Sequence, residues 1–126
     1  MILATTAKPI FPYIQVLDLS YNNLNWADVT SLSVIENIKV LSLTGNCLRQ
    51  LPKNMMTVVQ HNTQHQLYQG FSKLEVLNVD SNQISDGTRL FTSLAILPHL
   101  QELNVDNNPI ETIPYLTVNS DACFVG

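Results

Sequence analysis

IQVLDLSYNNL, from Ile14 to Leu24, decides how this chain is read, because the same eleven-residue phrase comes back three more times. It returns as IKVLSLTGNCL from Ile38 to Leu48, LEVLNVDSNQI from Leu74 to Ile84, and LQELNVDNNPI from Leu100 to Ile110. The shared pattern is L-x-x-L-x-L-x-x-N-x-L, with Ile or Val at some of the Leu positions. Within the phrase, Leu17 and Leu19 alternate with Val16, Asp18 and Ser20, the two-residue period of a short half-buried strand. Self-similarity of this kind marks a stack of like units, none of which can bury its apolar edge alone.

Each unit sends four apolar side chains inward. They are Ile14, Leu17, Leu19 and Leu24; Ile38, Leu41, Leu43 and Leu48; Leu74, Leu77, Val79 and Ile84; and Leu100, Leu103, Val105 and Ile110. Asn22, Asn46, Asn82 and Asn108 form a second column, where the chain turns out of the strand and the backbone loses its ladder partners. An Asn amide both donates and accepts, so stacked asparagines can satisfy those buried groups; this column is structural and is assigned no binding role. Together these features are the strand segment of a leucine-rich repeat. They imply an α/β solenoid with short parallel concave strands and irregular or helical convex segments.

The repeats start at 14, 38, 74 and 100, so the spacings are 24, 36 and 26. In the first, Asn25 can cap a short helix through WADVTSLSVIENI, with Trp26, Val29, Leu32 and Ile35 spaced for one buried face. In the third, Ser85 or Asp86 can cap a helix ending near Leu97, with Leu90, Leu94 and Leu97 inward and Pro98 as the stop. The second spacing carries about ten extra residues, a Gln/His/Asn-rich segment near 56–70 that reads as a partly mobile insertion on the convex side or loop edge. The resulting organisation is an N-terminal flank, 1–13, that could be a partial repeat; a repeat domain, 14–116; and a tail, 117–126. Neither flank has the polar, atypical composition of a complete cap. Three explanations stand: tails folded over the end layers, a partner covering them, or a chain that is a piece of a longer one.

A chain of 126 residues suits one ordinary domain, and a net charge of −4 argues against a broad electrostatic grip on nucleic acid or anionic lipid. No apolar run approaches the roughly 20 residues that span a bilayer. The first residues, MILATTAKPIFPY, lack a basic region followed by a long apolar stretch. Cys47 and Cys123 lie two repeats apart, beyond disulfide reach, and no N-x-S/T acceptor occurs. These features suit a reducing, intracellular setting.

The outward strand positions make the candidate partner-binding face. On the first strand they are Val16, Asp18, Ser20 and Tyr21, and on the second Val40, Ser42, Thr44 and Gly45. The third adds Val76, Asn78, Asp80 and Ser81, and the fourth Glu102, Asn104, Asp106 and Asn107. The face is polar and mildly acidic, with a Val16–Val40–Val76 stripe along one side, and suits a basic or mixed protein segment. The plainer alternative is a solvated sheet face.

His61 and His65, four apart, could share a helix face, but Gln60, Asn62 and Gln64 beside them supply no third zinc ligand. They read as solvent-facing, as does His99 after Pro98. Asp80 and Asp106 are neighbours across the sheet, yet an open face provides no pocket for carboxylate catalysis. No G-x-S-x-G phrase or phosphate-cradling glycine loop occurs. The expectation is no catalytic residue, no cofactor and no metal. Cys47, between the ladder Asn and the last repeat Leu, reads as a small buried residue.

The order of phrases carries a further likeness. YIQVLDLSYNNL and TGNCLRQLP, then the irregular spacer, then FSKLEVLNVDSNQI, LQELNVDNNPI and a closing ETIPYL resemble the repeat region of the X-ray radiation resistance-associated protein family. The likeness runs from about Pro12 to Leu116, and this chain lacks the family's long flanking regions. It implies a non-enzymatic intracellular scaffold, of a kind frequent in ciliary and flagellar axonemes, and implies no catalytic residues. The expected function is therefore a protein-interaction or structural module in the cytoplasm or cytoskeleton. Its expected partners are proteins, axonemal or microtubule-associated ones among them, with no direct nucleic acid or membrane contact. A regulatory adaptor for an enzyme such as a protein phosphatase is the alternative.

Overall fold

The structure, a computed structural model, describes residues 11–60 and 66–111. In chain order the elements are β1 (Val16–Asp18), α1 (Trp26–Leu32), β2 (Val40–Ser42), β3 (Met56–Gln60), β4 (Gln66–Gly70), β5 (Val76–Asn78), α2 (Gly87–Leu94) and β6 (Glu102–Asn104). The four repeat strands form one parallel sheet in the order β1-β2-β5-β6. Equivalent repeat positions sit side by side: Leu17 pairs with Leu41, Leu41 with Leu77, and Leu77 with Leu103. The same register carries past the strand ends. The Leu19 N–H donates to Ser42 O at 2.9 Å, Leu43 to Asn78 O at 2.8 Å, and Val79 to Asn104 O at 2.8 Å. This is the α/β leucine-rich repeat solenoid that the spacing implied.

Burial follows from stacking. The two middle layers are dry, with Leu41, Leu43, Leu74, Leu77 and Val79 fully buried. The outer layers, Ile14, Leu17 and Leu19 at one end and Leu100, Leu103 and Val105 at the other, are half-buried, each having a described repeat on one side only. Whether the flanks cover those layers concerns residues 1–10 and 112–126, outside the described part, as does Cys123.

The asparagine column makes the expected bonds. Asn82 Oδ1 accepts the Asn46 and Leu48 N–H groups, both at 2.9 Å, and its Nδ2 donates to Leu43 O, Val79 O and Asp80 O. Asn46 repeats this toward Asn22 and Leu24. Asn108 Oδ1 accepts the Ile84 N–H at 3.0 Å. Every buried side-chain nitrogen and oxygen among the described residues has a partner.

The convex side departs from expectation in three places. Helix α1 begins at Asn25, with a reciprocal box: Asp28 N–H donates to Asn25 Oδ1 and Asn25 N–H to Asp28 Oδ2, both at 2.9 Å. Of its expected apolar face, Val29 and, beyond the helix, Ile35 are buried, but Trp26 is half exposed. Trp26 is the first residue of the helix, and the helix enters the layer one turn later, through Val29. Helix α2 starts at Asp86, whose Oδ1 accepts the Arg89 N–H at 3.0 Å, and ends at Leu94, short of Leu97. Leu90, Leu94 and Leu97 are nevertheless all buried, because a turn after the helix carries Leu97 inward.

The third departure is the stretch near 56–70, expected as an irregular insertion. It contains an antiparallel hairpin, β3 with β4, in register from Met56–Gly70 to Gln60–Gln66. The run MTVVQ holds three β-branched residues in succession, which suits extended backbone better than loop. The hairpin is rooted in the core: Met55 and Met56 are buried, and the Phe71 N–H donates to Met55 O at 2.9 Å. Gly70 stands at φ +110, and a Cβ there would press on the Met55 carbonyl and Met56 backbone, so glycine closes the hairpin. His61 and His65 lie outside the described residues.

Candidate partner-binding face

The sheet register sorts the outward side chains into rows crossing the strands. Val16, Val40, Val76 and Glu102 make one row; Asp18, Ser42, Asn78 and Asn104 make the next. Beyond the strand ends, Ser20, Thr44, Asp80 and Asp106 continue the pattern. The residues of these three rows therefore share one side of the sheet. Tyr21 adjoins it and packs against Gly45, its equivalent in the second repeat; Ser81 and Asn107 hold the same position in the third and fourth.

A line of hydrogen bonds ties these side chains together. The Ser20 hydroxyl donates to Asp18 Oδ1 at 2.5 Å and lies 3.1 Å from the Ser42 hydroxyl. Ser42 lies 3.3 Å from Thr44 Oγ1, which donates to Asn78 Oδ1 at 3.1 Å. Asn78 Oδ1 also accepts the Asp80 N–H at 2.9 Å, and Asp80 Oδ1 accepts the Asp106 N–H at 2.7 Å. On the last strand Asn104 Nδ2 donates to Glu102 Oε2 at 3.0 Å. The line reaches the fourth repeat at the Asp106 backbone N–H, so the side chains from Asp18 to Asp80 are held in place while that of Asp106 is not. The Ser20 hydroxyl and then the Ser20 N–H hold the Asp18 carboxyl below the usual carboxylate range. Asp80 carries a structural bond as well as a charge, whereas the Asp106 carboxylate, out in solvent, makes none among the described residues.

The turn after each strand uses left-handed backbone. Tyr21, Gly45, Ser81 and Asn107 all have φ between 58° and 71°. Asn23 and Cys47, two residues after Tyr21 and Gly45, are left-handed too, at φ 56° and 60°. Cys47 is exposed, not buried as expected, because this backbone swings the position between the inward Asn and Leu out to solvent. It lines an open groove of about 500 Å³, bounded by residues 23–26 of the first repeat and 46–50 of the second, Trp26 and Arg49 among them. Sequence reading missed this groove. Its signal was the contrast between a helix starting at Trp26 and the helix-free LRQLP stretch one repeat later.

No group of three or more metal-ligating side chains occurs among the described residues, and none of the described helices is long and apolar enough to cross a membrane. His99 is exposed.

The family model described as Leucine Rich Repeat matches residues 13–35 and 99–119, and a second leucine-rich repeat model matches residues 72–87. X-ray radiation resistance-associated protein 1 of Mus musculus is 38% identical over 111 residues, covering 84% of this chain and 14% of that protein. Its Bos taurus counterpart is 38% identical over 79 residues, covering 59% of this chain and 14% of that protein. PH domain leucine-rich repeat-containing protein phosphatase 1 of Homo sapiens is 26% identical over 125 residues, covering 90% of this chain and 7% of that protein. The chain thus spans a small part, 14% or less, of the length of these curated relatives. With its repeat phrases, parallel sheet and asparagine ladder, this chain is a leucine-rich repeat protein that resembles, over most of its length, the X-ray radiation resistance-associated protein family.

Proposed function

We propose that this chain is a non-enzymatic protein-interaction module that scaffolds a larger intracellular assembly in the cytoplasm or cytoskeleton, with the ciliary axoneme and its microtubule-associated proteins as the setting. The observation that carries this reading is the line of hydrogen-bonded side chains from Asp18 to Asp80 across the sheet face. Side chains already fixed lose little entropy when a partner docks, so the face is built for recognition rather than turnover. The two scattered cysteines support an intracellular site.

Fractionation of source cells into soluble, salt-extractable and cytoskeletal pools, followed by quantitative mass spectrometry, tests the setting. Retention of the chain in the axonemal or cytoskeletal pellet after high salt, with a constant set of neighbours, is expected. Recovery in the soluble pool overturns the structural setting. A second reading, an adaptor acting on a protein phosphatase, is favoured by the similarity to a repeat-bearing phosphatase over 90% of this chain. It requires the purified chain to change the rate of a co-purifying phosphatase, and an unchanged rate rejects it.

A further inference from the structure

The sheet face is not uniform along the stack. At the β1 and β2 end its rows carry Val16, Val40 and hydroxyls; at the β5 and β6 end they carry Asp80, Glu102 and Asp106. None of the outward row positions is Lys or Arg, and no described cation pairs with Glu102 or Asp106. The row that begins with three valines ends in a carboxylate. We propose that the occupant is an extended protein segment lying across the strands, with an aliphatic side chain on the valine row and a Lys or Arg at Glu102, in the acidic field that Asp106 extends. This deepens, and rests on, the interaction-module reading.

Charge complementarity sets the direction. A cation placed at the β6 end meets Glu102, which closes the valine row and, among the described residues, keeps Oε1 free beside its bond from Asn104. The Asp106 carboxylate lies about 13 Å along the same strand, with no competing base between them. At the β1 end the valine row begins with Val16, and the Asp18 carboxylate takes two bonds from Ser20 on one oxygen. Spacing sets the length. Adjacent strands lie about 4.8 Å apart, so the row from Val16 to Glu102 spans about 14 Å. An extended chain covers that in about four residues, which fixes the separation of the aliphatic and cationic side chains. Because Asn104 and the Asp80 carboxylate are held by hydrogen bonds, the acidic end needs little rearrangement to receive the cation.

The test uses the full chain and fluorescein-labelled peptides VTVTKTK, VTVTETE and TTTTKTK, read by anisotropy at low and physiological salt. The chain is expected to prefer VTVTKTK to both others. Glu102→Gln with Asp106→Asn is expected to weaken it about tenfold. Glu36→Gln with Glu111→Gln, which removes the same charge outside the rows, is expected to leave affinity within about twofold. Val40→Thr is expected to erase the preference over TTTTKTK. Equal weakening by both charge pairs reduces the effect to general attraction and overturns the proposal, as does indifference to peptide charge. If the chain retains its cellular neighbours in crosslinking while the Glu102/Asp106 pair leaves that retention unchanged, the cationic occupant falls and the interaction-module reading stands. If no neighbours are retained at all, both fall.

Discussion

The ring of Tyr21 lies over Gly45, its equivalent one repeat later, so closely that a Cβ on Gly45 would overlap the ring. Gly45 also sits at φ +71, and the two requirements are separable. Gly45→Ala should cost about 1–2 kcal/mol from the left-handed backbone alone, plus the displacement of the ring. In a Tyr21→Ser background, which borrows the residue of the third repeat, the steric part should vanish and the backbone part remain. Denaturant melts of both single variants and the double variant give the coupling. Strict additivity would mean that the ring moves aside freely.

The asparagine ladder should be graded along the stack. Asn82 holds two backbone N–H groups and three carbonyls, whereas Asn22, exposed in the first layer, donates to Ser20 O alone among the described residues. Asn82→Leu should therefore cost about 1–3 kcal/mol for each buried group it strands, and Asn22→Leu well under 1 kcal/mol. Thermal melts of the two variants check the ranking. Equal losses would show that column position, not bonding, governs the effect.

The hairpin offers a local test. Gly70→Ala places a methyl against the Met55 carbonyl at a backbone angle unfavourable to any L side chain. The expected loss is about 1–2 kcal/mol, with faster amide exchange in the strands on either side of the closure while the four-stranded sheet keeps its protection. Uniform loss of protection would mean that the hairpin folds as one unit with the repeats.

How much of this was legible follows from where the determinants lie. The parallel sheet, its register and its inward residues could be read because one short phrase recurs, and every repetition sets the same side chains facing the same way. The capped helices could be read for a similar reason: Asn25 and Asp86 signal locally. Trp26 could not, since its exposure depends on what stands across the groove, and the next repeat has no helix there. Cys47 failed because left-handed backbone at a non-glycine residue leaves no compositional mark. The hairpin was hidden by polar composition, although the Thr57–Val58–Val59 run pointed to extended chain. The sheet face was visible as a list of residues; the bonds joining Ser20, Ser42, Thr44 and Asn78 needed the register to be seen. The flanks, 1–10 and 112–126, and His61 and His65 lie outside the described residues.

Acid should expose the role of Asp18. Its carboxyl is held below the usual carboxylate range by the Ser20 hydroxyl and then the Ser20 N–H. A depressed folded value means that the unfolded chain binds the proton first as pH falls. The contribution is therefore fully present above the ordinary carboxylate range and is lost as pH drops through the folded value. Asp18→Asn should lower stability slightly at neutral pH, because a neutral amide replaces a charged acceptor, and should flatten the decline in acid. Urea melts of both chains across that range check it, with Ser20→Ala, which removes the larger cause, expected to behave like the Asn variant. The solvent-exposed position of Asp18 keeps the effect small. Parallel pH curves for wild type and Asp18→Asn would show that the Ser20 contacts do not favour the charged form.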